Sequence, residues 1–278
     1  MMLSPLDDGR LLIVLQIDHS RVAGTTVAHW GNADFAAPTP YVGVVVAAGG
    51  HDSAWWDWEV EPFLNTKGDV IDYYRSNEVL GQTWRDFTDS WIERLSKRDI
   101  YSGFLVSMHH QGLLTGGFGT LPHMPDRSNE PYVAEFAQAQ TAFREELRKE
   151  IEAREDLRPY LDDEIVMHNY KLVQMGDQFG QILCNRHPFN STKRKTGPSN
   201  SLVSVPTRPG EPDTTLTIQP IGEDTAVVTP WPFDEDRIDI RIPARVLPQG
   251  HYDDHDTFLR DYLRAEQMTV TRILQKAA

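Results

Sequence analysis

The sequence is poor in cysteine and in positive charge, and it lacks a long hydrophobic run. Cys184 is the single cysteine among 278 residues, which excludes an internal disulfide and fits a reducing compartment. The 27 basic residues face 41 acidic ones, a net charge of −14 that disfavours duplex nucleic acid as a partner. The longest apolar run, residues 41–50, is shorter than the roughly 20 residues of a bilayer span. Asp7 and Asp8 do not suit a signal peptide, so we expect a soluble cytoplasmic protein that does not bind membranes.

Two common catalytic motifs are also absent. The glycines between Gly112 and Gly119 are not followed by Gly-Lys-Ser/Thr, so no phosphate-binding loop is identified. Ser53 and Ser107 lack the Gly-x-Ser-x-Gly surroundings of a nucleophile elbow. A serine hydrolase therefore has little support.

The spacing of apolar residues predicts a mainly helical chain. Steps of three and four residues predict helices over 77–97, 101–114, 133–154 and 162–184, and a terminal amphipathic helix over 257–275. The continuous apolar run at 11–15 predicts a short strand, and alternating runs at 214–219, 225–228 and 238–242 predict a small antiparallel sheet. Residues 41–50 are ambiguous, because their β-branched content favours a strand whereas a helix this apolar would have to be fully buried.

These elements predict three parts. Residues 1–189 form a helical core, and residues 190–213, rich in Ser, Thr, Pro and Gly, form a loop. Residues 214–278 form a small β element with a terminal helix packed on the core. We therefore expect a mainly α fold, α+β overall, with a minor C-terminal sheet.

Histidines and one aspartate carry the clearest chemical signal. Asp177 falls on the apolar stripe of the last long helix, where a carboxylate is costly unless it is paired or binds a metal. Imidazole and carboxylate ligands without a thiolate suit one or two ions of Mn, Fe, Zn, Ni or Co. Any one histidine taken alone is also compatible with an ordinary buried role. Five of the ten histidines lie within or beside apolar segments of the first 110 residues: His19, His29, His51, His109 and His110.

The order of these residues resembles a known signature. His29, the adjacent pair His51-Asp52, and the distant Asp177 are similar to the motif of the HD-domain metal-dependent phosphohydrolase superfamily. The resemblance implies an HD-like helical bundle in which these four residues bind a first metal. It also implies that residues 41–51 are helical. His19 competes with His29 for the ligand role, and spacing does not choose between them.

A wider resemblance covers most of the chain, from about residue 11 to residue 270. It is to an uncharacterised bacterial family of unknown function, number 3891, and it brings no established activity with it. The phrases that carry it are Gln16-Ile-Asp-His19, Ala28-His29-Trp30-Gly31, Gly50-His51-Asp52-Ser53-Ala54-Trp55, Ser107-Met108-His109 and Leu172-Val173-Gln174-Met175-Gly176-Asp177.

We expect metal-assisted hydrolysis of a small phosphorylated, nucleotide-like molecule. Asp52, His109 and His110 are the predicted catalytic residues. Either histidine could hold a second metal, orient the substrate or protonate a leaving group, and His109 is the one expected to face inward. The predicted supporting residues are Gln16 and His19, which would orient ligands, and Trp55 and Trp58, which would wall a pocket or simply cover a helix end.

Two other functions stay open at this point. A minority of HD-type proteins use two irons for oxidative chemistry, so a di-iron oxygenase is one alternative. The other is a non-catalytic helical binding protein in which the histidines and Asp177 form a buried polar network. The substrate, the metal and the oligomeric state are not determined by the sequence.

Overall fold

The computed structural model describes residues 1–78, 83–121, 124–184 and 201–277, with the backbone alone for residues 77 and 78. The helices are α1 (Gln16–Ala28), α2 (Tyr41–Gly50), α3 (Trp56–Glu59), α4 (Thr83–Arg98), α5 (Ile100–Leu114), α6 (Pro131–Glu152), α7 (Asp163–Cys184) and α8 (His255–Arg264). The strands are β1 (Met2–Pro5), β2 (Leu11–Val14), β3 (Ser201–Val205), β4 (Thr214–Pro220), β5 (Thr225–Thr229), β6 (Arg237–Leu247) and β7 (Glu266–Lys276). Short 3₁₀ turns occupy Ser53–Trp55, Tyr73–Glu78, Gly116–Gly119 and Arg158–Leu161.

The prediction of a mainly helical bundle with a small β element is wrong. The strands form one curled, mixed, seven-stranded sheet in the order β1-β2-β6-β7-β5-β4-β3. All neighbouring strands are antiparallel except β5 and β7, which are parallel. β1 and β2 come from the predicted helical core and pair with each other, and β2 also pairs with β6, more than 220 residues later in the chain. Local hydrophobic patterns do not reveal such distant pairing, so the sheet was underestimated.

The terminal helix predicted over residues 257–275 is also wrong. α8 begins where the Asp254 side chain accepts a hydrogen bond from the Thr257 N–H, and it ends at Arg264. Glu266–Lys276 is instead the strand β7, which pairs with β6 on one side and with β5 on the other. Its centre, Thr269-Val-Thr-Arg-Ile273, is rich in β-branched residues, which fit a pleated surface better than a helix.

The ambiguous segment at 41–50 is the helix α2. Glycine explains how so apolar and β-branched a helix is accommodated. A Cβ built on Gly24 of α1 would lie 2.7 Å from the Cα of Gly49 of α2, so the two helices cross backbone to backbone. Only glycine permits this approach at the crossing, and it places the carboxyl end of α2 beside α1.

Two hydrophobic clusters form the core, and β2 separates them. Leu12 and Val14 face the larger cluster, in which α1, α2, α5 and α7 pack with the sheet. Leu11 and Ile13 face the smaller cluster, which includes residues of α8 and the Trp-rich segment after α2. β2 is therefore buried on both faces, as its unbroken apolar sequence requires.

Several predicted segments fall partly outside the described residues. The loop expected at 190–213 includes residues 190–200, which are outside them, whereas 201–205 form β3. The helix expected from residue 77 is seen as α4, beginning at Thr83, after the undescribed residues 79–82. Within the described ranges, no helix combines the length and the apolar character needed to cross a bilayer.

Candidate metal centre

The crossings of α1, α2 and α7 bring side chains that are distant in sequence to one buried point. His19 lies on α1, the pair His51-Asp52 directly follows α2, and Asp177 lies on α7. α7 can lie against α1 because two of its residues are glycines. A Cβ on Gly176 would be 3.0 Å from the Ala23 carbonyl oxygen of α1, and one on Gly180 would be 2.7 Å from the His19 ring. The positions of these small residues therefore determine where the polar side chains meet.

His19, His51 and Asp177 form a triad that could hold a metal ion, with their ligand atoms all within 4.8 Å of one another. His19 Nε2 lies 2.9 Å from Asp177 Oδ1, and His51 Nε2 lies 3.6 Å from the same oxygen. Asp52 adds a second carboxylate, since its Oδ2 is 3.5 Å from His51 Nε2 and 3.8 Å from His19 Nε2. Two imidazoles and two carboxylates thus converge inside the protein.

The tautomer of His51 suits metal binding. Its Nδ1–H donates to the Ala48 carbonyl oxygen at 2.7 Å, because a carbonyl only accepts. Nε2 therefore carries the lone pair in the neutral ring, and this atom faces the two carboxylates without a hydrogen-bond partner among the described residues. Metal-binding histidines commonly have their second nitrogen held in this way.

His109 and His110 on α5 extend the cluster, and both are buried. His109 Nε2 lies 3.7 Å from Asp177 Oδ2, and neither of its ring nitrogens has a hydrogen-bond partner within the described part of the chain. His110 Nε2 lies 2.9 Å from the His51 carbonyl oxygen and must donate to it. Its Nδ1 then carries the lone pair and is likewise unpartnered among these residues.

Amide side chains orient both carboxylates. Gln16 Nε2 donates to Asp52 Oδ2 at 3.1 Å, and the Asp52 N–H donates to the Ser20 hydroxyl at 3.0 Å. Gln181 Nε2 donates to Asp177 Oδ1 at 3.5 Å, and the Tyr73 hydroxyl donates to the Gln181 side-chain oxygen. Each carboxylate is thereby fixed by a neutral donor that leaves its charge uncompensated.

Electrostatics show that the cluster needs positive charge. Burial by itself lowers the pKa of His51, but the charges of Asp52 and Asp177 outweigh burial and raise this pKa to about 9. Burial works against the Asp177 carboxylate, yet the hydrogen bond with His19 and the nearby charge of His51 hold its pKa well below the ordinary value. Without a metal, a proton on His51 supplies positive charge to the two carboxylates, and a bound divalent cation could supply it instead. The unpartnered nitrogens and the oxygen donors therefore fit a metal ion.

The pKa values of His109 and His110 shift in the opposite direction to that of His51. Desolvation lowers the pKa of both rings, and for His109 it does so strongly. Both imidazoles are therefore neutral near pH 7, which is the form that binds metals or accepts protons.

The structure does not bring every predicted site residue into the cluster. His29 ends α1, ten residues after His19 and thus about 15 Å away along the helix axis. Its partly exposed ring lies 3.0 Å from Asp234 instead. Trp55 lines the cavity described below, whereas Trp58 packs against Trp55 in the smaller hydrophobic cluster.

Sequence reasoning missed several residues that support the centre. Gln181 is four residues after Asp177, on the same face of α7, and this spacing is a signal that was available. Glu59 had no such signal. Its carboxylate accepts from the N–H groups of Gln16 and Ile17 at 2.6 and 3.4 Å, and so it caps the start of α1 from 43 and 42 residues away in sequence. Burial raises the pKa of Glu59.

A cavity of about 450 Å³ opens onto the cluster. Asp52, His109, His110 and Asp177 lie at its polar end. Its other walls are mainly aromatic and aliphatic, with four glutamines. These wall residues are Trp55, Tyr73, Tyr74, Trp84, Leu113, Leu121, Met124, Ile182 and Leu202, with Gln16, Gln174, Gln178 and Gln181.

Fold and site together define an α+β protein with a candidate divalent-metal centre beside a cavity. The chain belongs to the family described as "Protein of unknown function (DUF3891)", whose model matches residues 1–249. The predicted membership of family 3891 is confirmed. No curated protein and no solved structure matches the chain.

Proposed function

We propose that the protein is a metal-dependent hydrolase whose ion is held by His19, His51, Asp52 and Asp177. The observation that carries the proposal is the convergence of the His19, His51 and Asp177 ligand atoms within 4.8 Å, with Asp52 beside them. Nitrogen and oxygen ligands without sulfur suit Mn, Fe, Zn, Ni or Co. With His19 in the first position, the ligand order is similar to the HD signature.

The residues around the ion have separate tasks in this proposal. The metal, when bound, would lower the pKa of a water molecule and polarise a substrate oxygen. Gln16 and Gln181 keep the two carboxylates in place, and the Ala48 carbonyl keeps His51 in its ligand tautomer. His110 Nδ1, neutral and unpartnered among the described residues, is suited to accept or return a proton.

The expected phosphorylated substrate is the least supported part of this function. A phosphate group is normally bound by Arg or Lys. The cavity lining contains neither residue within the described ranges, and two of its members are carboxylates. Support for the proposal therefore lies in the metal centre and the cavity rather than in an anion-binding surface.

A matched pair of variants tests the centre. His19→Ala should lose bound metal, whereas His29→Ala, directly after the end of the same helix and paired with Asp234, should keep it. Elemental analysis of protein purified without chelator and calorimetric titration with Mn²⁺ or Zn²⁺ measure the outcome. Full metal occupancy in His19→Ala would remove the basis of the proposal. If the wild-type protein holds no metal and chelator leaves its melting temperature unchanged, the buried polar network is the better interpretation.

A di-iron oxygenase is the second candidate, and the number of histidines favours it. His109 and His110 bring the buried imidazoles to four beside two carboxylates, which is enough for two ions. Iron content after anaerobic purification and a mixed-valence spectroscopic signal distinguish this function from hydrolysis. A single bound ion without such a signal would favour the hydrolase.

A further inference from the structure

The cavity beside the metal centre has the size and walls of a small-molecule site. Its volume of about 450 Å³ lies within the ordinary range of ligand pockets, roughly 300–1,000 Å³. Two indole rings, Trp55 and Trp84, and the ring of Tyr73 line it. Such walls bind the faces of planar, apolar groups.

Two glutamines of the cavity lining, Gln16 and Gln178, each have a buried side-chain atom without a hydrogen-bond partner among the described residues. Gln16 is 1% exposed, and its Nε2 is committed to Asp52. The reverse amide orientation would place an oxygen against that carboxylate, so Gln16 Oε1 is the free end, and it has no partner among the described residues. Gln178 Nε2 is buried and likewise unpartnered within them. These two residues of the lining thus hold one unused acceptor and one unused donor, both neutral.

Charge makes a neutral ligand the better match. Asp52 and Asp177 line the cavity, and its described lining contains no Arg or Lys to balance an anionic ligand. A bound cation would be largely neutralised by these two carboxylates, leaving little attraction for a dianion. A buried amide without a partner bears its full desolvation cost, which a ligand with complementary neutral groups removes.

We propose that the cavity binds an uncharged, ring-bearing amide, whose C=O accepts from Gln178 and whose N–H donates to Gln16. This inference deepens the proposed function and rests on it for the reaction, which would be hydrolysis of the C–N bond. Water adds across that bond: the carbonyl carbon takes the hydroxyl, the nitrogen takes the hydrogen, and an acid and an amine leave. The reaction needs no other reactant.

Binding of small probes tests the ligand class without turnover. Acetanilide, phenyl acetate and phenyl phosphate share a phenyl ring but differ in the polar group, and calorimetry on the purified full-length protein ranks them. Acetanilide should bind at least tenfold more tightly than phenyl phosphate. Phenyl acetate, which keeps the C=O but lacks the N–H, should fall between them. Equal or tighter binding of phenyl phosphate, or no binding of acetanilide, would overturn the inference.

The variant Gln178→Leu removes the proposed hydrogen-bond donor to the ligand C=O and leaves the other residues of the site unchanged. It should weaken acetanilide and phenyl acetate by a similar factor, about tenfold, while its metal content stays at the wild-type level. Gln219→Leu, at an exposed position of β4, is the control and should change neither property. Undiminished acetanilide binding by Gln178→Leu would contradict the assignment, and if this variant does not fold, the ranking of the three probes on the wild-type protein still decides.

The failures of the two proposals are distinguishable. Metal binding together with a preference for phenyl phosphate would overturn the amide inference and leave the hydrolase proposal intact. Acetanilide binding by a protein that takes up no metal would support the ligand class and defeat the hydrolase proposal.

Discussion

The substitution Gly180→Ala tests the centre through packing rather than by removing a ligand. Gly180 lies on α7, three residues after Asp177, and the His19 ring rests against its Cα. A Cβ at this position would be 2.7 Å from both Cε1 and Nδ1 of His19. Ordinary contact begins at about 3.4 Å, so the imidazole must retreat by about 0.7 Å.

That displacement is large for a metal ligand. Ligand distances in metal sites are held within about 0.2 Å, so a ring moved by this amount no longer reaches the same ion without rearrangement. We expect metal affinity to fall at least tenfold, which corresponds to about 1.4 kcal/mol. The metal-free protein should lose about 1–3 kcal/mol of folding stability to overpacking, less up to about 1 kcal/mol that alanine adds within a helix.

Calorimetric titration with Zn²⁺ or Mn²⁺ measures the first effect, and urea unfolding of the chelated protein measures the second. Gly50→Ala is the matched control, because a Cβ there would meet the Trp91 ring at an ordinary 3.6 Å although His51 is the next residue. It should bind metal as the wild type does. If Gly180→Ala also binds metal with unchanged affinity, His19 is not a ligand and the reasoning from this contact fails.

Two further variants probe other features. Burial lowers the pKa of His168 to about 4, below the unfolded value near 6.5, so the unfolded chain binds this proton first and stability is lost as pH falls from 6.5 to 4. Between pH 7 and pH 5 the free energy of unfolding of the wild type should therefore fall by about 2 kcal/mol more than that of His168→Leu. Urea unfolding at both pH values measures this difference, and equal losses would contradict a buried neutral ring. Gln181→Leu removes the amide donor to Asp177 and should weaken metal binding about tenfold by calorimetry, whereas unchanged affinity would show that Gln181 does not position the ligand.

The helices could be predicted because their signal is local. The spacing of apolar residues locates α5, α6 and α7 to within a few residues, since each buries one face or its whole surface against neighbours. The sheet depends on partners far apart in sequence. β2 has only four residues, and β7 alternates polar and apolar positions around an arginine, Arg272, that is buried by contact with Asp224 and the Leu183 carbonyl. Neither the short strand β2 nor the buried arginine within β7 can be predicted without knowing the strands they pair with.

The candidate site shows the same division. The order His51-Asp52 and Asp177 pointed to residues that the structure brings together, because adjacent positions and a polar residue on an apolar stripe are local facts. The choice between His19 and His29 is not local, since one lies near the start of α1 and the other directly follows its last residue. The crossing of α1 and α2 at Gly24 and Gly49 places His19, rather than His29, beside the end of α2. The spacing of apolar residues in the sequence does not predict where two helices cross.

Among the described strands, β7 alone pairs with both halves of the sheet and joins them. β1, β2 and β6 lie on one side of it and β5, β4 and β3 on the other, although β7 is the last of the seven strands to leave the ribosome. Until residues 266–276 are synthesised, the edges of β6 and β5 that pair with β7 have no partner strand. They can then pair with the strands of other chains. A fragment that ends with the family match at residue 249 would lack β7, so both edges would stay unpaired. We expect such a fragment to self-associate and to be a poor substitute for the native protein.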